Sequence, residues 1–175
     1  DSLTEGYGVE KEEAYPFLIE EALREKGHDS VKVINAGISG STTASARSRL
    51  KWYLRAKPAI MILALGGNDG LRGLSVENMK NKLGETIELA RSKNIRVLLA
   101  GMQMPLNYGP VYTTAFKNAF FELSEKYRVP MIPFLLKDVG GVPEHNLEDG
   151  IHPNPEGHQV VMENVLEHLL PMLKK

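Results

Sequence analysis

Ala59–Leu65, AIMILAL, runs for seven residues without a polar side chain and stops at Gly66-Gly67-Asn68-Asp69-Gly70. A strand with one face in water alternates apolar with polar residues. An unbroken apolar run closed by glycine is the form a strand takes when helices cover both faces of its sheet. Similar runs stand at Val31–Asn35, Ile95–Ala100 and, weakened by its prolines, Val129–Phe134. Stretches with helical apolar spacing lie between and around them, at about Lys11 to Lys26, Thr42 to Ala56, Val76 to Lys93, Tyr112 to Tyr127 and Pro155 to Leu173. This alternation predicts an α/β protein of three layers, α/β/α, with a mostly parallel central sheet. The chain opens at Asp1-Ser2 with no strand before its first helix, and a strand immediately upstream would complete the pattern.

No repeat, low-complexity tract or Pro/Ser-rich linker marks a boundary, and 175 residues fit a single domain over residues 1–175. The chain carries 21 Lys+Arg against 22 Asp+Glu, a net charge of −1 that gives no electrostatic reason to expect nucleic acid or an anionic membrane as partner. Without cysteine there is no disulfide, thiol nucleophile or cysteine metal site. No run approaches the length of a membrane span, and DSLTEGYGVEKEE at the start lacks the basic and apolar regions of a signal peptide.

In open α/β sheets ligands bind beyond the carboxyl ends of the strands, so the loops after the apolar runs matter most. These are Ala36–Thr42, Gly66–Gly70 and Gly101–Gly109, joined by Glu148–Asn154 ahead of the last helix. Glycine lets backbone N–H groups face a ligand and asparagine supplies an amide donor, which makes Gly37 and Asn68 candidates for an oxyanion hole. The same glycines are equally suited to turning the chain. His152 differs from His28, His145, His158 and His168 in lying on a turn three residues after Asp149, a spacing that lets the carboxylate reach Nδ1 and fix the tautomer. Spacing alone leaves the nucleophile open between Ser2, Ser39 and Ser41. Gly37-Ile38-Ser39-Gly40-Ser41 misses the Gly-x-Ser-x-Gly elbow by one place, and neither a P-loop nor Gly-x-Gly-x-x-Gly occurs.

Asp1-Ser2-Leu3, followed by Thr4-Glu5-Gly6-Tyr7, is similar to a Gly-Asp-Ser-Leu motif without its glycine; Asn35–Gly40, Gly66–Asp69 and Asp149–Asn154 resemble the three later blocks of the same family, in order. On these blocks the chain is identified as a member of the GDSL/SGNH hydrolases. Leu65–Gly73 (LGGNDGLRG), Pro105–Gly109 (PLNYG) and Pro133-Phe134 resemble the bacterial multifunctional thioesterase, arylesterase and lysophospholipase subgroup.

The resemblance implies a flavodoxin-like SGNH fold and a serine hydrolase that cleaves small carboxylic esters or thioesters through an acyl-enzyme. It assigns Ser2 as nucleophile, His152 as general base and acid, Asp149 as the group that orients His152, and Asp1 as a support of the nucleophile's turn. The oxyanion would be held by the Ser2 and Gly37 N–H groups and the Asn68 side chain, with Met104, Leu106, Asn107 and Tyr108 against the substrate. The resemblance implies no metal or organic cofactor, and a periplasmic or secreted location. Three other readings stay open at this point: a carbohydrate deacetylase with the same triad, a phosphoesterase in which Asp1, Asp69, Asp149 and His152 hold a divalent metal, and a lipid or glycan binding module without catalysis.

Overall fold

The structure, a computed structural model, describes residues 1–173. In chain order the elements are α1 (Ser2–Glu5), α2 (Tyr15–Glu25), α3 (Ala46–Tyr53), β1 (Ile60–Leu63), α4 (Gly67–Leu71), α5 (Val76–Ser92), β2 (Arg96–Ala100), α6 (Pro110–Tyr127), β3 (Met131–Ile132) and α7 (Pro155–Leu173). They fall into two compact units, one formed by Ser41–Phe134 and the other by Asp1–Gly40 with the chain from Leu135 onward.

The first of these units holds the sheet, in the order β1-β2-β3, with both pairings parallel. The register sets Ile60 beside Arg96 and Leu63 beside Leu99, and on the other side Leu99 beside Met131. Parallel neighbours require a crossover, supplied by α5 and α6. Val97, Leu98, Leu99 and Ala100 are all buried, as an unalternating central strand should be. Helix α5 starts at Ser75, whose side chain accepts from the Asn78 N–H, and buries Met79, Leu83, Ile87 and Ala90 along one face. Helix α6 begins with Pro110, the first helical position, where a missing N–H costs nothing, and buries Phe116, Ala119, Phe120 and Leu123. The Phe116 and Phe120 rings meet edge-on at 5.5 Å. Each such side chain stabilises the unit by about 1.5–3 kcal/mol through burial. Asp69, in α4, is buried and accepts from the Thr43 N–H at 2.9 Å and the Thr43 hydroxyl at 2.6 Å.

The α/β class and the parallel sheet agree with the alternation in the sequence, but two expected strands differ. Val31–Asn35 is not a strand. The Val33 N–H donates to the Glu20 carboxylate at 2.6 Å, and among the described residues no strand of its own unit lies beside it to form a ladder. Val129–Phe134 contributes only Met131–Ile132, because Pro130 and Pro133 on either side have no N–H to give. The helix expected from about Lys11 also starts late. Lys11–Glu13 forms a 3-10 turn closed by reciprocal Glu10 and Glu13 capping, the backbone becomes extended at Ala14, and α2 begins at Tyr15.

In the second unit α2 and α7 pack together, burying Tyr15, Ile19 and Leu23 from one and His158, Val161, Val165 and Leu169 from the other. Asn154 caps α7 by accepting from the Gly157 N–H at 2.9 Å, followed by Pro155 at the first helical position. The Tyr15 N–H donates to His158 Nδ1 at 3.2 Å, and the Tyr15 hydroxyl pairs with Thr4 Oγ1 at 2.7 Å. Burial holds the His158 imidazole neutral, lowering it from 6.5 to about 4 against a small opposing pull from Glu13. Between those values the unfolded chain binds a proton that the folded one refuses, so stability falls as pH drops from about 6.5 to about 4, by on the order of 3 kcal/mol in all. Urea unfolding at about pH 7 and about pH 5 should show a smaller pH effect in His158→Asn, whose Oδ1 stands where Nδ1 accepts from Tyr15 but which cannot titrate. Equal slopes in the two proteins would contradict this account of His158.

Candidate active site

Helix α1 is a single turn, too short to persist by propensity and fixed by its ends. Asp1 caps it, its carboxylate accepting from the Leu3 N–H at 3.2 Å, and Gly6 closes it in the left-handed conformation at φ 88°, where a side chain would be strained. Leu3 anchors the turn in the core. Ser2, at the first helical position, is half-buried, and its N–H meets no acceptor among the described residues, as first-turn N–H groups do unless something outside the helix takes them up.

Toward the other end of the chain, the turn before α7 is tied by the Leu147 N–H to the His152 carbonyl at 2.8 Å and by an antiparallel bridge between Asn146 and Pro153. Asp149 Oδ1 accepts from the Ile151 and His152 N–H groups, both at 3.0 Å, which points Oδ2 at the imidazole. His152 Nδ1 lies 2.7 Å from Asp149 Oδ2 and His152 Nε2 lies 3.0 Å from Ser2 Oγ. A carboxylate can only accept from Nδ1–H, so the Nε2 lone pair is left to accept from the serine hydroxyl. Desolvation acts most strongly on the Asp149 carboxyl and raises it, but the Ile151 N–H, the His152 ring and the His152 N–H outweigh it and hold the group below its ordinary range. It is therefore an anion at neutral pH. The Tyr7 ring, half open to solvent, covers His152 with centroids 4.5 Å apart.

Of the three serines that spacing leaves open, Ser2 is the one whose oxygen meets an imidazole. Ser39 is engaged elsewhere, since its N–H and hydroxyl both donate to the Glu5 carboxylate, the hydroxyl bond being the larger cause of the lowered Glu5 pKa. That contact fastens Ala36–Gly40 to the end of α1. Gly37 sits so close there that a Cβ would overlap the Glu5 backbone nitrogen. The Gly37 N–H donates to Asn35 Oδ1 at 2.9 Å, so a ligand oxygen at this position would have to share or replace the asparagine.

Asn68 lies in the sheet-bearing unit, on the first turn of α4, and donates from Nδ2 to the Ser41 carbonyl at 3.0 Å. Of the residues expected against a substrate, Met104 is buried with its sulfur against Gly70, while Leu106 is 89 % exposed on a 3-10 turn and Asn107 is also exposed. Tyr108 donates its hydroxyl to the Leu71 carbonyl at 2.9 Å, and Tyr112 does the same to Leu74 at 2.8 Å, so this turn is clamped to the end of α4. A groove between α5 and α6, bordered by Lys80, Val111 and Glu122, contains none of the residues expected of the site. Asp1 Oδ1 accepts from Leu3 and both Asp69 oxygens accept from Thr43, and among the described residues no group of three or more His, Asp or Glu gathers as metal ligands. Glu5 and Tyr7 belong to the site's surroundings but carried no sequence signal beyond their nearness to Ser2.

Residues 1–160 match the model of the GDSL-like lipase/acylhydrolase family. The chain is 37 % identical to an esterase, TesA, of Pseudomonas aeruginosa, over 99 % of this chain and 86 % of that protein. It is 32 % identical to thioesterase 1/protease 1/lysophospholipase L1 of Escherichia coli K12, over 99 % and 82 % respectively. Among solved structures, the crystal structure of a TesA superposes with a TM-score of 0.95 at 36 % identity, covering 99 % of this chain and 96 % of that one.

Proposed function

The chain belongs to the GDSL-like lipase/acylhydrolase family and is a carboxylic ester hydrolase, and from that premise we propose that it works as a serine esterase or thioesterase through an acyl-enzyme formed on Ser2. The observation that carries the reading is the relay from Ser2 Oγ to His152 Nε2, 3.0 Å, and from His152 Nδ1 to Asp149, 2.7 Å.

In the proposed reaction Ser2 Oγ attacks the acyl carbonyl carbon while His152 Nε2 takes the hydroxyl proton. The carbonyl oxygen gains the displaced electron pair, and the family resemblance assigns its stabilisation to the Ser2 N–H, the Asn68 amide and the Gly37 N–H, the last sharing or giving up its bond to Asn35. Collapse expels the alcohol or thiol, which leaves with the proton from His152, and the acyl group stays on Ser2. Water then repeats the sequence with His152 again as base, releasing the acid and restoring the serine. Asp149 remains an anion throughout and stabilises the imidazolium of both steps.

The family resemblance assigns the acyl chain to Leu106 and Tyr108, on the turn clamped to α4. This suits esters with apolar acyl groups, in line with the esterase and lysophospholipase names of the relatives. The test is hydrolysis of p-nitrophenyl esters from acetate to palmitate, with chelator present, and covalent labelling by an organophosphonate. The label should appear on Ser2; a modified Ser39 or Ser41 would overturn the assignment. Asn68→Ala should lower kcat about 10²- to 10³-fold with little change in KM, the usual loss for one oxyanion donor. A change confined to KM would remove Asn68 from the hole.

A further inference from the structure

The net charge of −1 hides a local imbalance. Between Asp29 and Asp69 there is no acidic residue, whereas Arg47, Arg49, Lys51, Arg55 and Lys57 cluster in α3 and just beyond it. Helical spacing sorts them. Ala46 and Leu50 are buried, while Arg47, Ser48, Lys51, Trp52, Arg55 and Ala56 are exposed, so positions 47, 51 and 55 form an outward row with Trp52 beside it. Trp52 is 62 % exposed, and the Arg55 guanidinium lies 4.2 Å from its ring centroid. Among the described residues no carboxylate pairs with Arg47, Lys51, Arg55 or Lys57. Like charges four residues apart on a helix cost a few tenths of a kcal/mol each, and among the described residues no carboxylate offsets them.

We propose that this outer face of α3 docks on an anionic lipid surface. Cations in a row neutralise lipid phosphates, and a tryptophan among them has an apolar body and a polar N–H suited to the headgroup layer. A flat bilayer requires no groove or matching contour from the protein, and the face, about 12 Å from Arg47 to Arg55 along the helix, is long enough to lie on one. Overall charge argues against such a partner, but attraction to a surface is set within a Debye length, about 8–10 Å, by the charges nearest to it.

The test uses the whole chain, as wild type and as Ser2→Ala, and reads binding without turnover, so its outcome is independent of the ester hydrolase reading. Vesicles of phosphatidylcholine, with and without phosphatidylglycerol, are pelleted at low ionic strength while tryptophan emission is followed. Trp52 is the chain's one tryptophan, so any shift comes from this face. Both proteins should sediment with the phosphatidylglycerol vesicles, with emission moving to the blue, and salt should release them. A basic side chain near an anionic surface strengthens partition about fivefold, so R47E/K51E/R55E should weaken it about hundredfold or more. Hydrolysis of a soluble p-nitrophenyl ester should stay unchanged in that variant. Absence of sedimentation, an unmoved emission, or binding that survives the triple reversal would overturn the proposal. So would duplex DNA shifting Trp52 emission where phosphatidylglycerol vesicles do not.

Discussion

Ser2→Ala should hydrolyse p-nitrophenyl esters about 10⁴- to 10⁶-fold more slowly than the wild type in kcat/KM, the scale of loss when a serine nucleophile is removed from a triad. The substitution deletes one oxygen whose described hydrogen bond runs to His152 Nε2. Alanine is the best helix former and Ser2 occupies a first helical position, so α1 keeps its Asp1 cap and Gly6 closure and stability should change by less than about 0.5 kcal/mol. Activity and fold therefore separate cleanly. A variant that unfolds at the same urea concentration and has lost turnover supports Ser2 as nucleophile. One that is equally stable and retains more than about a hundredth of wild-type kcat/KM would sink the mechanism, because binding and the oxyanion donors alone do not supply so much.

The parts of the fold that were legible in the sequence are those in which one residue run settles its own burial. Ala59–Leu65 and Ile95–Ala100 read as buried strands because covered faces leave no polar alternation, and β1 and β2 lie within them. Val31–Asn35 has the same β-branched composition and forms no strand, since a strand is a property of a pair and its N–H at Val33 goes to Glu20. Helix α1 could not be read at all. Four residues show no period, and its geometry depends on Asp1 and Gly6 at its ends.

The site divides in the same way. Asp149 and His152 lie on one turn, so the distance between them is set locally and their spacing was informative. Ser2 stands 150 positions away from His152, and no spacing rule reaches that far. In the sequence only resemblance separates Ser2 from Ser39, and the physical distinction between the two is the Glu5 carboxylate that occupies Ser39. Tyr7 over His152 is a contact between side chains of distant segments, which a linear pattern does not encode.

Asp149→Asn should lose about 10⁴-fold in kcat while remaining folded, a larger effect than the near-isosteric change suggests. The carboxylate has two duties carried by different oxygens. Oδ1 accepts from the Ile151 and His152 N–H groups and shapes the turn; Oδ2 accepts from the His152 ring. Asparagine can continue the first duty with its carbonyl oxygen, which directs its NH₂ group at Nδ1. That group is a donor, so it selects the imidazole tautomer with a bare Nδ1 and a proton on Nε2. Nε2–H faces Ser2 Oγ and cannot accept the hydroxyl proton, so the first chemical step loses its base even though every heavy atom is in place. Asp149→Ala provides the contrast. It removes the turn's acceptor as well, leaving the Ile151 and His152 N–H groups without it, and should lower stability by about 1–3 kcal/mol in addition to its effect on rate. NMR of the His152 ring nitrogens in Asp149→Asn should find the proton on Nε2. Retention of the Nδ1–H tautomer together with the lost activity would show that the charge of Asp149, and not its choice of tautomer, is what the reaction depends on.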